Sequence, residues 1–185
     1  MSKPIKLGKF AGLNVRARPS TFGAALALWG LLSLLGVKLF KFSLRKAVWG
    51  GATAVLLHFL SELWHQLGHA RAANVTGFPM EGIELWGPLA ASVYPDNEPP
   101  LPADIHIQRA LGGPIASVML TAVSGIIWLL LRPFGDVAAA VAAFCFLDNA
   151  LVFTLGAFLP LGFTDGSTIL HWWPQRNRKQ LSISS

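Results

Sequence analysis

Four long apolar stretches separated by short polar segments dominate the pattern of this chain. They cover roughly residues 21–40, 48–67, 110–131 and 137–159, and each is close to the ~20 residues that a helix needs to cross a bilayer. Two other segments, 5–17 and 82–94, alternate apolar and polar residues around a turn, which is typical of β-hairpins. The pattern predicts an all-α membrane protein with about four transmembrane helices and short β-hairpins before or between them.

Composition supports a membrane location. Hydrophobic residues make up 53% of the 185 residues and charged residues only 13%, too few to cover the surface of a soluble domain of this length. Cys145 is the only cysteine, so it forms no disulfide within the chain. We expect one membrane-embedded domain over 1–185, with an N-terminal hairpin at 1–19, a transmembrane core at 20–163 and a cytoplasmic tail at 164–185.

The basic residues indicate an orientation. With four spans, both termini and the loop between the second and third spans share one side of the membrane. Ten basic residues lie on that side and five on the other, which favours cytoplasmic termini in a bacterial-type plasma membrane. The ten are Lys3, Lys6, Lys9, Arg16, Arg18, Arg71, Arg109, Arg176, Arg178 and Lys179. The cluster at 38–46 argues weakly for the opposite orientation. The net charge of +6 is spread over every loop, so we expect the lipid bilayer and no nucleic acid as a partner.

A polar stripe interrupts the second apolar stretch. At about 100° per helical residue, His58, Glu62, His65 and His69 lie within roughly 60° of one another. His65 and His69 have the i, i+4 spacing that lets two imidazoles bind one zinc ion. In the zincin motif H-E-x-x-H the glutamate is the general base, and this chain has Gln66 at that position. For His58 we expect an interior polar group satisfied by a neighbour.

Asp165 is the candidate third ligand. Zinc in catalytic sites takes three protein ligands and leaves one position for water. Pro160 ends the fourth apolar stretch, and Asp165 follows in a segment that also contains Gly166. Two simpler interpretations remain open, namely that Asp165-Gly166 forms a turn or that Asp165 caps the helix that follows.

Four segments together resemble the site-2 proteases, which are intramembrane zinc metallopeptidases. Residues 7–20 resemble the N-terminal hairpin of the family, and 65–73 resemble its zinc helix. Residues 111–117 resemble its G-P-x-A-N segment, with Ser117 in place of asparagine. Residues 159–166 resemble its N-x-x-P-x-x-x-L-D-G segment, with Ala157 and Thr164 as departures. The resemblance covers nearly the whole chain, as a minimal core without a PDZ or CBS domain.

The resemblance implies a zinc ion held by His65, His69 and Asp165 that activates water for hydrolysis of a peptide bond. The implied substrate is a single-span membrane helix, which must unwind before its carbonyls can be attacked. The strands near 83–93 would receive it by edge pairing. Gly112, Gly113 and Pro114 would break or loosen the third helix beside the metal.

Gln66 is the departure that bears on catalysis, because a neutral amide cannot accept the proton of water. Loss of a general base costs about 10²–10⁴-fold in rate. One hypothesis is a pseudoprotease that binds zinc or a partner subunit without cleavage. A second is an active peptidase in which Glu62 or Asp148 supplies the base, although helical rise places Asp148 about 25 Å from Asp165. In a third, Gln66 is a recent or introduced change in a competent protease, and in a fourth the chain is a membrane subunit without metal.

Overall fold

The computed structural model describes residues 3–176, so the predicted basic residues Arg178 and Lys179 lie outside the described part of the chain. Within it the chain is mostly helical. The helices are α1 (Pro19–Lys38), α2 (Leu44–Val75), α3 (Ala103–Leu131), α4 (Val137–Asp148) and α5 (Asp165–Trp172). A π-helical segment, Asn149–Leu155, and a 3-10 turn, Gly156–Phe158, continue α4. The strands are β1 (Ile5–Phe10), β2 (Leu13–Ala17), β3 (Gly82–Trp86) and β4 (Leu89–Val93).

Three helical segments of the described residues are long and apolar enough to cross a membrane: Pro19–Lys38, Ala103–Phe134 and Val137–Phe158. They match three of the four predicted spans, and their leucine side chains are largely exposed, as expected for lipid-facing helices. The chain therefore has the make-up of an integral membrane protein. α2 has 32 residues, about 48 Å of helix, but its polar stripe lowers its hydropathy, so a fourth span stays a prediction. The orientation of the termini also stays a prediction.

The two predicted hairpins form one sheet. Its order is β1-β2-β3-β4, with antiparallel pairing inside each hairpin and parallel pairing between β2 and β3, where Val15 lies opposite Ile83. Gly82 permits this contact, because a Cβ there would collide with the carbonyl oxygen of Asn14. The all-α description is therefore corrected by a small four-stranded sheet in which the hairpins are not independent. β4 forms one edge of the sheet.

The sheet packs on α2, and α2 packs on α3. Ala70 and Ala73 of α2 form a buried cluster with Met80 and Ile83. Such small side chains allow a strand and a helix to approach closely. α2 and α3 approach closely at Gly68 and Gly112, where a Cβ on either residue would collide with the carbonyl oxygen of the other.

The predicted break in the third helix is wrong. α3 continues from Ala103 to Leu131 through Pro114. The two glycines before the proline instead allow α3 to lie against α2 at the level of the two histidines. Glycine at these positions therefore serves packing beside the candidate site.

Candidate metal centre

His65, His69 and Asp165 converge on one point although they come from two distant parts of the chain. The Nε2 atoms of the two histidines are 3.0 Å apart. Asp165 reaches both, with Oδ2 at 3.2 Å from His65 Nε2 and Oδ1 at 3.3 Å from His69 Nε2. All three side chains are largely buried. Of the alternatives for Asp165, a turn by itself does not explain this contact.

The chemistry of these atoms fits a bound cation. The His69 Nδ1 atom is 2.8 Å from the Arg109 carbonyl, which only accepts, so Nδ1 carries the hydrogen and Nε2 presents a lone pair. Two imidazole nitrogens and a carboxylate then face one another, and a positive charge between them removes their repulsion. A tetrahedral zinc ion with bonds of about 2.0 Å separates its ligand atoms by about 3.3 Å, close to the observed distances.

The segment after the fourth apolar stretch positions Asp165. Thr164 is the N-cap of α5, and its hydroxyl accepts a hydrogen bond from Ser167 N–H at 3.4 Å. Thr164 thus fills the capping role that the sequence also permitted for Asp165. Asp165 is the first residue of α5 and is left to face the histidines. The segment predicted as a cytoplasmic tail therefore contributes a residue to the site.

α3 orients both histidine rings through hydrogen bonds to their Nδ1 atoms. His69 Nδ1 donates to the Arg109 carbonyl, and His65 Nδ1 lies 2.9 Å from the Ser117 hydroxyl. Phe153 of the π-helical segment packs against the His65 ring, with centroids 6.0 Å apart. Such partners fix the tautomer and direction of metal-binding histidines. Ser117, noted in the sequence only as a departure from the family motif, is thus a direct neighbour of a candidate ligand.

A cavity of about 620 Å³ opens at the cluster. The three candidate ligands, Glu62 and Gln66 line it on one side, and β4 lines it on another. Apolar side chains from the π-helical segment and the 3-10 turn after α4 complete the wall. The cavity is large enough for several residues of a peptide beside the cluster.

Gln66 does not point a free polar atom into the cavity. Its Nε2 donates to Glu62 Oε1 at 3.1 Å and to the Ala90 carbonyl at 3.3 Å, and its Oε1 accepts from the Ser92 hydroxyl at 2.9 Å. Glu62 Oε1 also accepts from Ala90 N–H at 3.0 Å. The pair therefore binds both backbone groups of Ala90 on the β4 edge. Edge pairing of a peptide at this residue must displace Glu62 and Gln66.

His58 and Asp148 form a separate buried pair. His58 Nδ1 is 2.9 Å from Asp148 Oδ2, and Nε2 is 2.8 Å from the Pro88 carbonyl. His58 is thus satisfied by neighbours, as expected from the sequence. Asp148 is engaged on the far side of the stripe, and the structure does not bring it to the candidate ligands.

Sequence reasoning missed Arg109. This buried residue makes a two-point ion pair with Glu98, with Nη1 to Oε2 at 3.0 Å, and stacks over Tyr94 with its guanidinium 4.1 Å from the ring centre. The hydrogen bonds from Arg109 hold the pKa of Glu98 below its usual value. The pair fastens the loop between β4 and α3, and Glu98 lines the cavity. The available signal was an arginine directly before the third apolar stretch, at its predicted boundary.

His106 joins the start of α3 to α5. It lies in the first turn of α3 and stacks on Trp172 of α5, with ring centroids 4.0 Å apart and an interplanar angle of 5°. Arg176 and Asp104 add an ion pair at 2.6 Å between the same two regions. These contacts hold α5, and with it Asp165, against α3.

Fold and site together define an integral membrane protein with a buried His-His-Asp cluster between its helices. No protein-family model matches the chain, and no curated protein matches it in sequence. Among solved structures, the site-2 protease from Methanocaldococcus jannaschii is similar, with a TM-score of 0.62 and 17% identity over 95% of this chain and 74% of that chain. This chain has the fold of a site-2 protease, and the resemblance in its motifs is confirmed at the level of the fold.

Proposed function

We propose that this chain is an intramembrane zinc metallopeptidase of the site-2 type whose hydrolysis of transmembrane helices is impaired by Gln66. The observation that carries the proposal is the convergence of His65, His69 and Asp165 at 3.0–3.3 Å beside a cavity lined by a strand edge. A zinc ion held there would polarise a peptide carbonyl and activate water. The similarity of fold to a site-2 protease supports this assignment.

The chain's own residues would orient the reacting groups. Ser117 and the Arg109 carbonyl hold the histidine rings, and Thr164 leaves the Asp165 carboxylate free. A substrate helix must unwind before its carbonyl can be attacked, because helical carbonyls are bonded internally. The cavity, which β4 lines on one side, supports binding of an unwound, extended segment beside the cluster. Such a segment would pair elsewhere than at Ala90, because Glu62 and Gln66 occupy the backbone groups of that residue.

A second candidate is a non-catalytic subunit that binds a membrane partner. It is favoured by the hydrogen bonds of Gln66, which engage all its polar atoms on Glu62 and β4 and leave none for water. Such a subunit would keep the zinc site and the cavity. The two candidates differ only in turnover.

Zinc content is the measurement that tests the proposal. We expect about one zinc ion per chain in the purified protein, with loss in His65→Ala and in Asp165→Ala. His171→Ala is the matched control, because this exposed histidine of α5 lies outside the cluster. A parent protein without zinc, or one whose zinc survives both ligand substitutions, would refute the assigned site.

A further inference from the structure

Glu62 is a carboxylate in the same cavity as the candidate ligands. Its residue is 2% exposed, which is costly for an acidic group unless it is held by donors. Two donors hold one oxygen, Oε1, namely Ala90 N–H at 3.0 Å and the Gln66 amide at 3.1 Å. The other oxygen, Oε2, makes no hydrogen bond within residues 3–176 and keeps some exposure in the cavity that Glu62 lines. Glu62 is therefore an oriented carboxylate with one oxygen available to the cavity.

The partners of Gln66 fix which way its amide faces. Glu62 Oε1 and the Ala90 carbonyl accept hydrogen bonds, so both must be met by the amide nitrogen. The Gln66 oxygen then accepts from the Ser92 hydroxyl. The amide nitrogen and oxygen of Gln66 therefore both bind Glu62 or β4 and hold them in position.

The two residues keep one carboxylate and one amide on a single face of α2. Four residues correspond to about 6 Å of rise and about 40° of rotation, so positions 62 and 66 lie one above the other. A glutamate at 66 would place a second carboxylate against Glu62 Oε1 and would remove the donors to Glu62 and Ala90. The local structure therefore favours the amide at 66 and the acid at 62.

We propose that Glu62 is the proton acceptor of this cavity and that Gln66 is the positioning residue that holds its carboxylate. The inference rests on the proposed function. In peptide hydrolysis Glu62 Oε2 takes one proton from water while the water oxygen bonds to the carbonyl carbon. The C–N bond then breaks, the proton passes from Glu62 to the leaving nitrogen, and a carboxylic acid and an amine are released.

The first test compares Glu62→Gln, Gln66→Glu and the control Glu84→Gln, which removes a carboxylate that pairs with Arg18 outside the cavity. The assay is single-turnover cleavage of dye-labelled unfolded casein in detergent, normalised to zinc content. We expect Glu62→Gln to retain zinc and lose at least 100-fold in rate. We expect no gain in Gln66→Glu and parental cleavage in Glu84→Gln.

The second test detects the Glu62 carboxylate by infrared spectroscopy and does not depend on turnover. The infrared difference spectrum between the zinc-loaded and metal-free protein is expected to contain a carboxylate band that disappears in Glu62→Gln and persists in Glu84→Gln. Three outcomes would overturn the inference alone. They are cleavage at the parental rate by zinc-loaded Glu62→Gln, a gain above 10-fold in Gln66→Glu, and a difference spectrum of Glu62→Gln that keeps every carboxylate band of the parent. A parent that holds zinc but cleaves no casein above the Glu62→Gln rate would also overturn it. A parent without zinc would overturn the proposed function as well.

Discussion

Gly113→Ala tests the candidate metal centre without removing a ligand. Gly113 lies on the face of α3 that meets the two histidines, and a Cβ at this position would collide with Nε2 of both His65 and His69. The two rings cannot simply turn away, because their Nδ1 atoms are held by Ser117 and by the Arg109 carbonyl. The methyl group would therefore displace the two nitrogens that face Asp165.

The magnitude follows from the number of ligands disturbed. Loss of a single outer partner of a metal ligand costs about 10–100-fold in metal affinity. Here two ligand nitrogens move together, so we expect zinc to bind at least about 100-fold more weakly, which is about 2.8 kcal/mol at about 1.4 kcal/mol per tenfold change. Alanine is favoured over glycine by up to about 1 kcal/mol within a helix, so the backbone of α3 gives no reason for unfolding.

Competition with a chromogenic chelator at equilibrium measures this change in affinity. Gly30→Ala is the control, because Gly30 lies within α1 and an added Cβ there meets no heavy atom within 4 Å. We expect parental zinc affinity in Gly30→Ala and a parental far-ultraviolet circular dichroism spectrum in both variants. Equal zinc affinity in Gly113→Ala and the parent would refute the placement of the metal between the two histidines and Asp165.

Three further predictions concern the partners around the site. Ser117→Ala removes the hydroxyl beside His65 and is expected to weaken zinc binding by about 10–100-fold in the same chelator assay. An unchanged affinity would contradict the role of Ser117 in orienting the His65 ring. His58→Ala leaves the buried Asp148 carboxyl without its partner and is expected to lower the free energy of unfolding by about 3–5 kcal/mol in detergent titration, whereas a loss below about 1 kcal/mol would count against the pair. The lowered pKa of Glu98 means that its pair with Arg109 stabilises the loop above the ordinary glutamate pKa of about 4.3 and is lost as pH falls through the lower folded value. The measured quantity is the protection of backbone amides in loop 95–102 against hydrogen exchange, relative to the intrinsic rate at each pH, by mass spectrometry. We expect this protection to persist in the parent until the pH falls through the lowered pKa of Glu98, and to show no such loss in Glu98→Gln.

Local patterns were sufficient to predict the helices and both hairpins, because periodicity and turn residues act over a few positions. They were not sufficient to predict the sheet. Val15 and Ile83 pair although all of α1 and α2 separate them in sequence, and nothing near either residue shows that β2 and β3 lie side by side. The early end predicted for the second span has a similar cause. α2 continues to Val75 because its polar face is buried against the sheet and α3. Polar residues on a buried face lower the hydropathy, so hydropathy does not predict where this helix ends.

The role of Asp165 in the candidate site could not be decided from the sequence. Its spacing and neighbours were compatible with a turn, a cap or a ligand, since aspartate performs all three roles. The neighbour Thr164 decides between them by taking the cap of α5. That choice depends on the direction of α5 relative to the 3-10 turn that ends at Phe158. The direction in turn depends on distant contacts such as the stack of His106 on Trp172.

The sequence alone indicates that Gln66 replaces the general base of the zincin motif. The structure adds a physical reason for an amide at this position. Four residues of helix rise about 6 Å and two residues of strand about 6.7 Å, so side chains four apart on α2 can meet alternate positions of the hairpin. His58 meets the turn carbonyl, Glu62 meets Ala90, and Gln66 meets Ala90 and Ser92. The Ala90 carbonyl requires a donor, which an ionised glutamate at 66 cannot supply. The substitution that removes the base of the zincin motif therefore also joins α2 to the strand edge, and Gln66→Glu alone exchanges one property for the other.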